Sequence, residues 1–285
     1  MPTVWEQIAV NARLITLPEV YLRLKEVLDD PNYTSAKVAQ VITHDPAITV
    51  RLLRIVNSAY FGLATQIDSV SRAISLLGTR GVYDLVLAVS VTQSFKGMSN
   101  EVMDMDRFWR KSVVCAITSR ELSSLCNVVD SEHPFVCGLL CDIGHLFIYQ
   151  HAPDKAQQAI EAAKQQQAPL YKVERTLLGI DYANVGAALM RHWQLPQNLW
   201  EPAEYHIEPE KSQDYQIFTS LVHIAKVMTE ADDQNEPLES ALTNVAPLAW
   251  QVTGLSAERC MDISNQVDSQ VNSVMQLIFP SRKAA

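Results

Sequence analysis

The sequence predicts an all-α protein: two helical lobes followed by a helical extension. Three observations carry this. Apolar residues recur at three- and four-residue steps along most of the chain, the period of a buried helix face. Glycine occurs only 9 times in 285 residues, a low count that suits helices joined by short turns. Alternating runs of β-branched residues, the mark of half-buried strands, are few.

The first lobe, residues 1–95, reads as a string of short helices. Leu17-Pro18-Glu19 opens one that carries Val20, Leu22, Leu24, Val27 and Leu28, and Asp29-Asp30-Pro31-Asn32 closes it. Thr34 or Ser35 caps the next, since a short side-chain oxygen can accept from the free N–H groups of a first turn. His44-Asp45-Pro46 breaks that helix before the run Ile48 to Val56. A polar turn with two aromatics follows, Asn57-Ser58-Ala59-Tyr60-Phe61-Gly62. Two helical stretches then flank Gly78, Ser69 to Leu77 and Val82 to Phe95. Lys96-Gly97-Met98-Ser99-Asn100 is the expected boundary, with a glycine and small polar residues between periodic segments.

The second lobe, residues 101–235, begins with a helix from Arg107 to about Cys126, capped by Asp106. Phe108, Lys111, Cys115, Thr118 and Leu122 share one of its rows. The central element is a helix from Glu132 to His151, with Asp130 or Ser131 as cap and Pro134 in the first turn, where its missing N–H removes no bond. Phe135, Val136, Leu139, Leu140, Ile143, Leu146 and Phe147 form its core face. On an adjacent face the same period stacks Gly138, Cys141, Asp142, His145 and Tyr149, so a thiol, a carboxylate and an imidazole line one side. Helices at Asp154–Gln167 and Pro169–Leu178 follow, then a small-residue helix through Tyr182–Leu189. Leu195-Pro196 opens another reaching Tyr205-His206, and a last one spans Gln213 to Thr229. Residues 236–285 form the extension, with helices expected at Leu238–Trp250 and Ser256–Ile278.

Composition narrows the function classes. A formal charge of −9 argues against a broad phosphate-binding surface, so nucleic acid is not the expected partner. No run of 18 apolar residues and no charged-then-apolar leader is present, which points to a cytoplasmic protein without a membrane span. The five cysteines form no C-x-x-C pair and have apolar neighbours, as reduced buried thiols do; no zinc site is expected. His44 reads as a helix-end residue, and His133, His151, His192 and His223 as surface or core-edge imidazoles.

The tetrad Cys141-Asp142-Ile143-Gly144 resembles the His-Asp-Ile-Gly signature of HD-type metal phosphohydrolases, with cysteine in place of histidine. Upstream, THDPAITVRLLRIVNSAYFGLATQIDSVSRAISLLG, preceded by a Leu-Pro, is similar to the N-terminal half of HDOD domains, the HD-related output domains of bacterial signalling proteins. Downstream, Gly179 to Leu189 and Trp193-Gln194-Leu195-Pro196 resemble a further family stretch. Tyr182 sits there at a histidine position, and His206-Ile207 stands where two histidines are common. The resemblance covers about residues 15–230 and implies a two-lobed, all-α HDOD fold with an HD-like helical bundle as the second lobe.

Catalytic HD enzymes hold a divalent metal through a histidine, a His-Asp pair and a later aspartate. The resemblance puts these positions at Lys111, Cys141, Asp142 and Lys226, and of the four only the aspartate is retained. A lysine is protonated near neutrality and has donors but no acceptor, so it repels a dication. The resemblance therefore implies a stand-alone regulatory protein of signal transduction without catalysis, cofactor or metal, acting through other signalling proteins or a small ligand. Two other classes compete: a metal-dependent phosphohydrolase with an altered ligand set, using Cys141 with Asp142, His145 or His206, and a nucleic-acid-associated helical protein. Arg54, Asn57, Tyr60 and Phe61 form the expected interaction surface. Lys111 is expected to point inward and place its ammonium near Asp142, with Lys226 approaching from its own helix.

Overall fold

The structure, a computed structural model, describes residues 17–58, 61–63, 65–95, 103–126, 128 and 132–279. Among them the chain is helical, with no strand. Helices α1 (Glu19–Leu28), α2 (Ser35–Thr43), α3 (Pro46–Val56) and α4 (Val70–Ser94) make the first group. Local chemistry sets their ends. Thr34 accepts from the Lys37 N–H, Asp45 from those of Ala47 and Ile48, and Ser69 from that of Arg72. Within α4, Gly78 takes φ +74°, a conformation open to glycine at little cost, and divides the helix into the two expected segments. By length and composition α4 is apolar enough to cross a membrane. It carries Arg80 and buries Asp84, and it packs against α1, α2 and α3, which makes it a core helix of this fold.

The second group comprises α5 (Met105–Leu125), α6 (Glu132–Leu140), α7 (Ile143–His151), α8 (Pro153–Gln166), α9 (Leu170–Leu178), α10 (Tyr182–His192), α11 (Gln197–Tyr205) and α12 (Gln216–Gln234). After them come α13 (Leu238–Ala241), α14 (Pro247–Thr253) and α15 (Ala257–Ile278), with 3-10 turns at Pro209–Lys211 and Leu242–Asn244. Helix α5 is the axis: α6, α12 and α15 all pack on it. One apolar core runs from Leu17 to Ile278, and α15 contributes Cys260, Ile263, Val267, Val271 and Val274 to it. A satellite of Ala159, Ala163 and Val173 joins α8 to α9.

Several expectations change. Asp104, not Asp106, caps α5, accepting from the N–H groups of Asp106 and Arg107. Helix α12 starts at Gln216, because Glu201 captures the backbone of residues 213–215. The segment expected as one helix, Leu238–Trp250, is split at Pro247, whose ring and missing N–H start a new helix. The Lys96–Asn100 boundary and the Asp130 and Ser131 caps lie outside the described residues.

The largest correction is the central helix. Glu132 to His151 is two helices, with Cys141 and Asp142 in the turn between them, where Asp142 has φ −97° and ψ 2°. The apolar period continues through the break because both helices bury their faces in the same core. Two glycines make the turn fit. A Cβ on Gly138 would lie 2.7 Å from the Cys115 carbonyl oxygen and 2.9 Å from Ala116 Cα on α5. One on Gly144 would collide with the Tyr182 carbonyl and the Gly186 nitrogen on α10, backbone atoms that cannot rotate away. Gly144→Ala should therefore cost about 3 kcal/mol or more, at the upper end of overpacking penalties. Urea unfolding checks it: a midpoint close to that of the parent protein would mean that α7 and α10 can separate.

Candidate functional site

Three helices meet at the α6–α7 turn: α5 brings Cys115, α10 brings Tyr182 and α12 brings Lys226, while the turn itself brings Cys141 and Asp142. The α11 terminus adds His206. Asp142 is 5% exposed and Lys226 7%. Their charges meet directly, with Lys226 Nζ donating to Asp142 Oδ2 at 2.5 Å. The ammonium lies 3.1 Å from Glu230 Oε1, one turn along α12, and 5.9 Å from the centre of the Tyr182 ring. Burial opposes a charged Asp142, but Lys226, with smaller help from His145 and His206, overrides it and holds the carboxyl below its usual range. Burial likewise disfavours the ammonium, and Asp142 and Glu230 more than restore it.

The imidazoles beside the pair are neutral. Burial pushes His206 down to about 4 and His145 down to about 3, despite the attraction of Asp142. His206 donates from Nδ1 to the Ala203 carbonyl at 2.8 Å, which leaves Nε2 to accept from the Tyr182 hydroxyl at 3.1 Å. His145 stacks on the Tyr182 ring, with centres 3.8 Å apart. Cys141 donates its S–H to the Gly138 carbonyl at 3.2 Å. The Cys115 sulfur 3.9 Å away, together with burial, keeps the thiol protonated. Next to His145, Glu174 is fully buried and accepts from the Tyr182 N–H at 2.9 Å, and burial pushes its carboxyl up to about 8.

The sequence matches the HDOD domain family over residues 14–209. The chain belongs to the HDOD domain family. A crystallised HDOD domain protein of unknown function from Geobacter sulfurreducens superposes with a TM-score of 0.75 at 20% identity, covering 96% of this chain and 99% of that one. A proposed phosphohydrolase from Shewanella amazonensis SB2B gives 0.71 at 24% identity, covering 94% and 98%. A proposed signal transduction protein from Marinobacter aquaeolei VT8 gives 0.71 at 20% identity, covering 94% of this chain and 59% of that one. These likenesses show the fold. An uncharacterized protein of Treponema pallidum (strain Nichols) is 23% identical over 225 residues, 78% of this chain, which spans 43% of that relative's length.

The HD resemblance implies a divalent metal, and the donor set of this HDOD chain does not fit one. Ligand atoms of Cys141, Asp142 and His206 do lie within 4.8 Å of one another. Each has an atom otherwise engaged, although Asp142 Oδ1 is buried with no hydrogen-bond partner among the described residues. Asp142 Oδ2 holds an ammonium, the Cys141 thiol keeps its proton, and His206 Nε2 faces a hydroxyl. A dication would have to deprotonate a buried thiol, displace a positive charge and break the Tyr182–His206 bond, and only then find a fourth ligand.

Of the residues singled out in the sequence, Cys141, Asp142, Tyr182, His206 and Lys226 converge, and Lys111 does not join them. Its Nζ lies 3.0 Å from Asp233 Oδ2 with the side chain 27% exposed, and Arg107 shares that carboxylate. The expected Lys111–Asp142 pair is thus replaced by Lys226–Asp142. The reason is the length of α12: it continues to Gln234 and presents Asp233 to Lys111. Arg54 faces solvent. Asn57 holds the following loop, accepting from the Ile67 N–H and donating to the Ile67 carbonyl, both at 2.6 Å. Phe61 packs on the core under the Arg120 guanidinium. Tyr60 lies outside the described residues.

Sequence reasoning missed Glu174, Glu230, Asp233 and Glu201. Glu230 was legible as the i+4 partner of Lys226. Glu201 is buried in α11 and its Oε1 accepts from the Ser212 hydroxyl and three backbone N–H groups. No local pattern announces that role.

Two predictions follow from these charges. Lys226→Met and Asp142→Leu should each cost about 3–5 kcal/mol by stranding a buried charge, while the double variant should cost far less than their sum. Lys111→Met should stay within about 1 kcal/mol, because its pair is partly exposed. Chemical denaturation of the five proteins tests both statements; additive losses at 142 and 226 would show that the two charges do not compensate one another. The second prediction concerns Glu174. Its folded carboxyl keeps a proton that the unfolded chain loses above the ordinary glutamate range, so its contribution to stability falls as pH rises toward about 8. Glu174→Gln should then melt higher than the parent at pH 8 and about equal to it near pH 4; the reverse order would mean that the folded protein favours the charged form.

Proposed function

We propose that this HDOD protein is a regulatory, non-catalytic module of signal transduction that acts by binding another signalling protein. One observation carries the reading: the Lys226 ammonium sits 2.5 Å from the single retained carboxylate of the HD-like site. A monocation held there balances Asp142, but it cannot activate water as a bound dication does. The surrounding groups are equally inert, since both imidazoles are neutral, the thiol is protonated, and Tyr182 spends its hydroxyl on His206. The site is a stabilised polar core of the bundle. The solved neighbour described as a proposed signal transduction protein agrees with this role. Exposed Arg54, near the loop that Asn57 anchors, belongs to the face on which we place partner contacts.

A second reading has its own support. The 4.8 Å grouping of Cys141, Asp142 and His206 is compact enough for three ligands, and two solved neighbours are described as proposed phosphohydrolases, one of them metal-dependent. One set of measurements separates the readings. The purified protein, dialysed with manganese, iron or zinc, should retain no stoichiometric metal and should leave p-nitrophenyl phosphate esters and cyclic dinucleotides intact. Affinity capture from the native cells should return a defined protein partner. Hydrolysis that depends on one bound metal and disappears in Asp142→Ala would establish the phosphohydrolase reading instead.

A further inference from the structure

A further buried pair lies away from the HD-like site, where the first group of helices meets the second. Asp84 on α4 is 0% exposed, and His133 near the start of α6 is 1% exposed. His133 Nδ1 is 3.1 Å from Asp84 Oδ2, and Nε2 is 3.1 Å from the main-chain carbonyl of Asn198 on α11. That carbonyl is available for a covalent reason. In α11 it would accept from the N–H of residue 202, and residue 202 is proline, which has none. His133 and the Cys137 thiol, 3.5 Å away, take the place of the absent donor.

The acceptors define the protonation state. A carbonyl oxygen only accepts, so Nε2 carries a proton, and Nδ1 faces a carboxylate oxygen of Asp84, an acceptor placed for a second one. The groups facing the ring agree. From α4 come Asp84 and, 3.6 Å from it, the Arg80 guanidinium. From α6 comes Cys137, from α11 the Asn198 carbonyl, and from α12 the apolar edge of Phe218, with ring centres 4.8 Å apart. Glu132, beside His133, pairs with Arg120. Burial alone would lower the imidazole, but Cys137 and Asp84 outweigh it and push it up to about 11.

We propose that His133 is a permanently protonated clasp that locks the helices before residue 95 onto the bundle, so that the two groups move as one body. Helix α6 then works as a strut. His133 holds one end and Asp142 lies just past the other, about 13 Å further along at the helical rise. A partner seated on the first group of helices is thereby mechanically continuous with the Asp142–Lys226 turn. His133 is a positioning residue here and touches no reacting group. The sign of its pH dependence is fixed. A raised folded pKa contributes fully below the unfolded value of about 6.5 and is lost progressively as pH rises toward about 11.

Two measurements on the full chain test the clasp. In protein labelled with nitrogen-15 at histidine, the ring signals absent from His133→Gln should show both nitrogens protonated at pH 8; a neutral ring there overturns the proposal. Amide hydrogen exchange supplies the second readout. In the parent, α4 should open with the same free energy as α10 and α12. In Asp84→Asn, which keeps an acceptor and the shape of the pair, and in His133→Gln, the protected amides of α1–α4 should exchange at least tenfold faster than those of α10 and α12. Val185→Ala, a cavity in the bundle core, should instead raise exchange throughout. If Asp84→Asn raises exchange uniformly, as Val185→Ala does, the pair is ordinary packing and the clasp is refuted, whether or not His133→Gln folds.

Discussion

A buried carboxylate that must keep its charge is the constraint around which the second half of this protein is built. Asp142 is buried at the α6–α7 turn, where helices approach closely on two sides. Burial of an unpaired carboxylate would raise its pKa until it protonated, so the fold has to supply a cation. Lys226 supplies it from α12, and Glu230 draws the same ammonium toward the outer end of that helix. Burial, reinforced by the positive charge fixed there, keeps the imidazoles nearby neutral. His206 and His145 therefore serve as neutral hydrogen-bonding and stacking groups. The chemistry of the site follows from one lysine.

The geometry that brings these groups together depends on missing side chains. Gly138 lets α6 lie against the α5 backbone, and Gly144 lets α7 lie against α10. The glycine of the Cys-Asp-Ile-Gly tetrad is thus explained by packing alone, whatever the cysteine and aspartate beside it do. The tight crossing and the ion pair reinforce each other, since the first excludes solvent and the second makes that exclusion tolerable.

The helices were legible in the sequence because their apolar stripes are, and the cap at Thr34 or Ser35 and the Gly78 division were read from local chemistry. The break at Cys141-Asp142 was not, since periodicity reports which residues are buried and stays silent when two successive helices bury their faces in one core. The choice between Lys111 and Lys226 as partner of Asp142 was beyond the pattern too. Both lie on inward rows, and what separates them is the position of Asp233, set by how far α12 runs. His133 shows the same limit. Alone it reads as an edge imidazole, and its role rests on Asp84, 49 residues earlier, and on a carbonyl freed by Pro202, 69 residues later. Pro202 was the one available sign, because proline inside a helix always leaves a carbonyl in want of a donor.

An ammonium in place of a dication changes more than charge. A divalent ion collects three or four protein ligands and keeps a site open for water, so its pocket is held by many donors yet must stay accessible. Lysine arrives tethered to its own helix, needs one good carboxylate, and fills the space it neutralises. The donors released from ligation can then turn to one another: here Tyr182 bonds His206, Cys141 bonds the Gly138 carbonyl, and His145 stacks on Tyr182. The first contact joins α10 to the end of α11, the second closes the end of α6, and the third joins α7 to α10. Replacing the metal by lysine thus turns a reactive cleft into an internal fastening. On the function proposed above, binding falls to the surfaces that the fastened helices present.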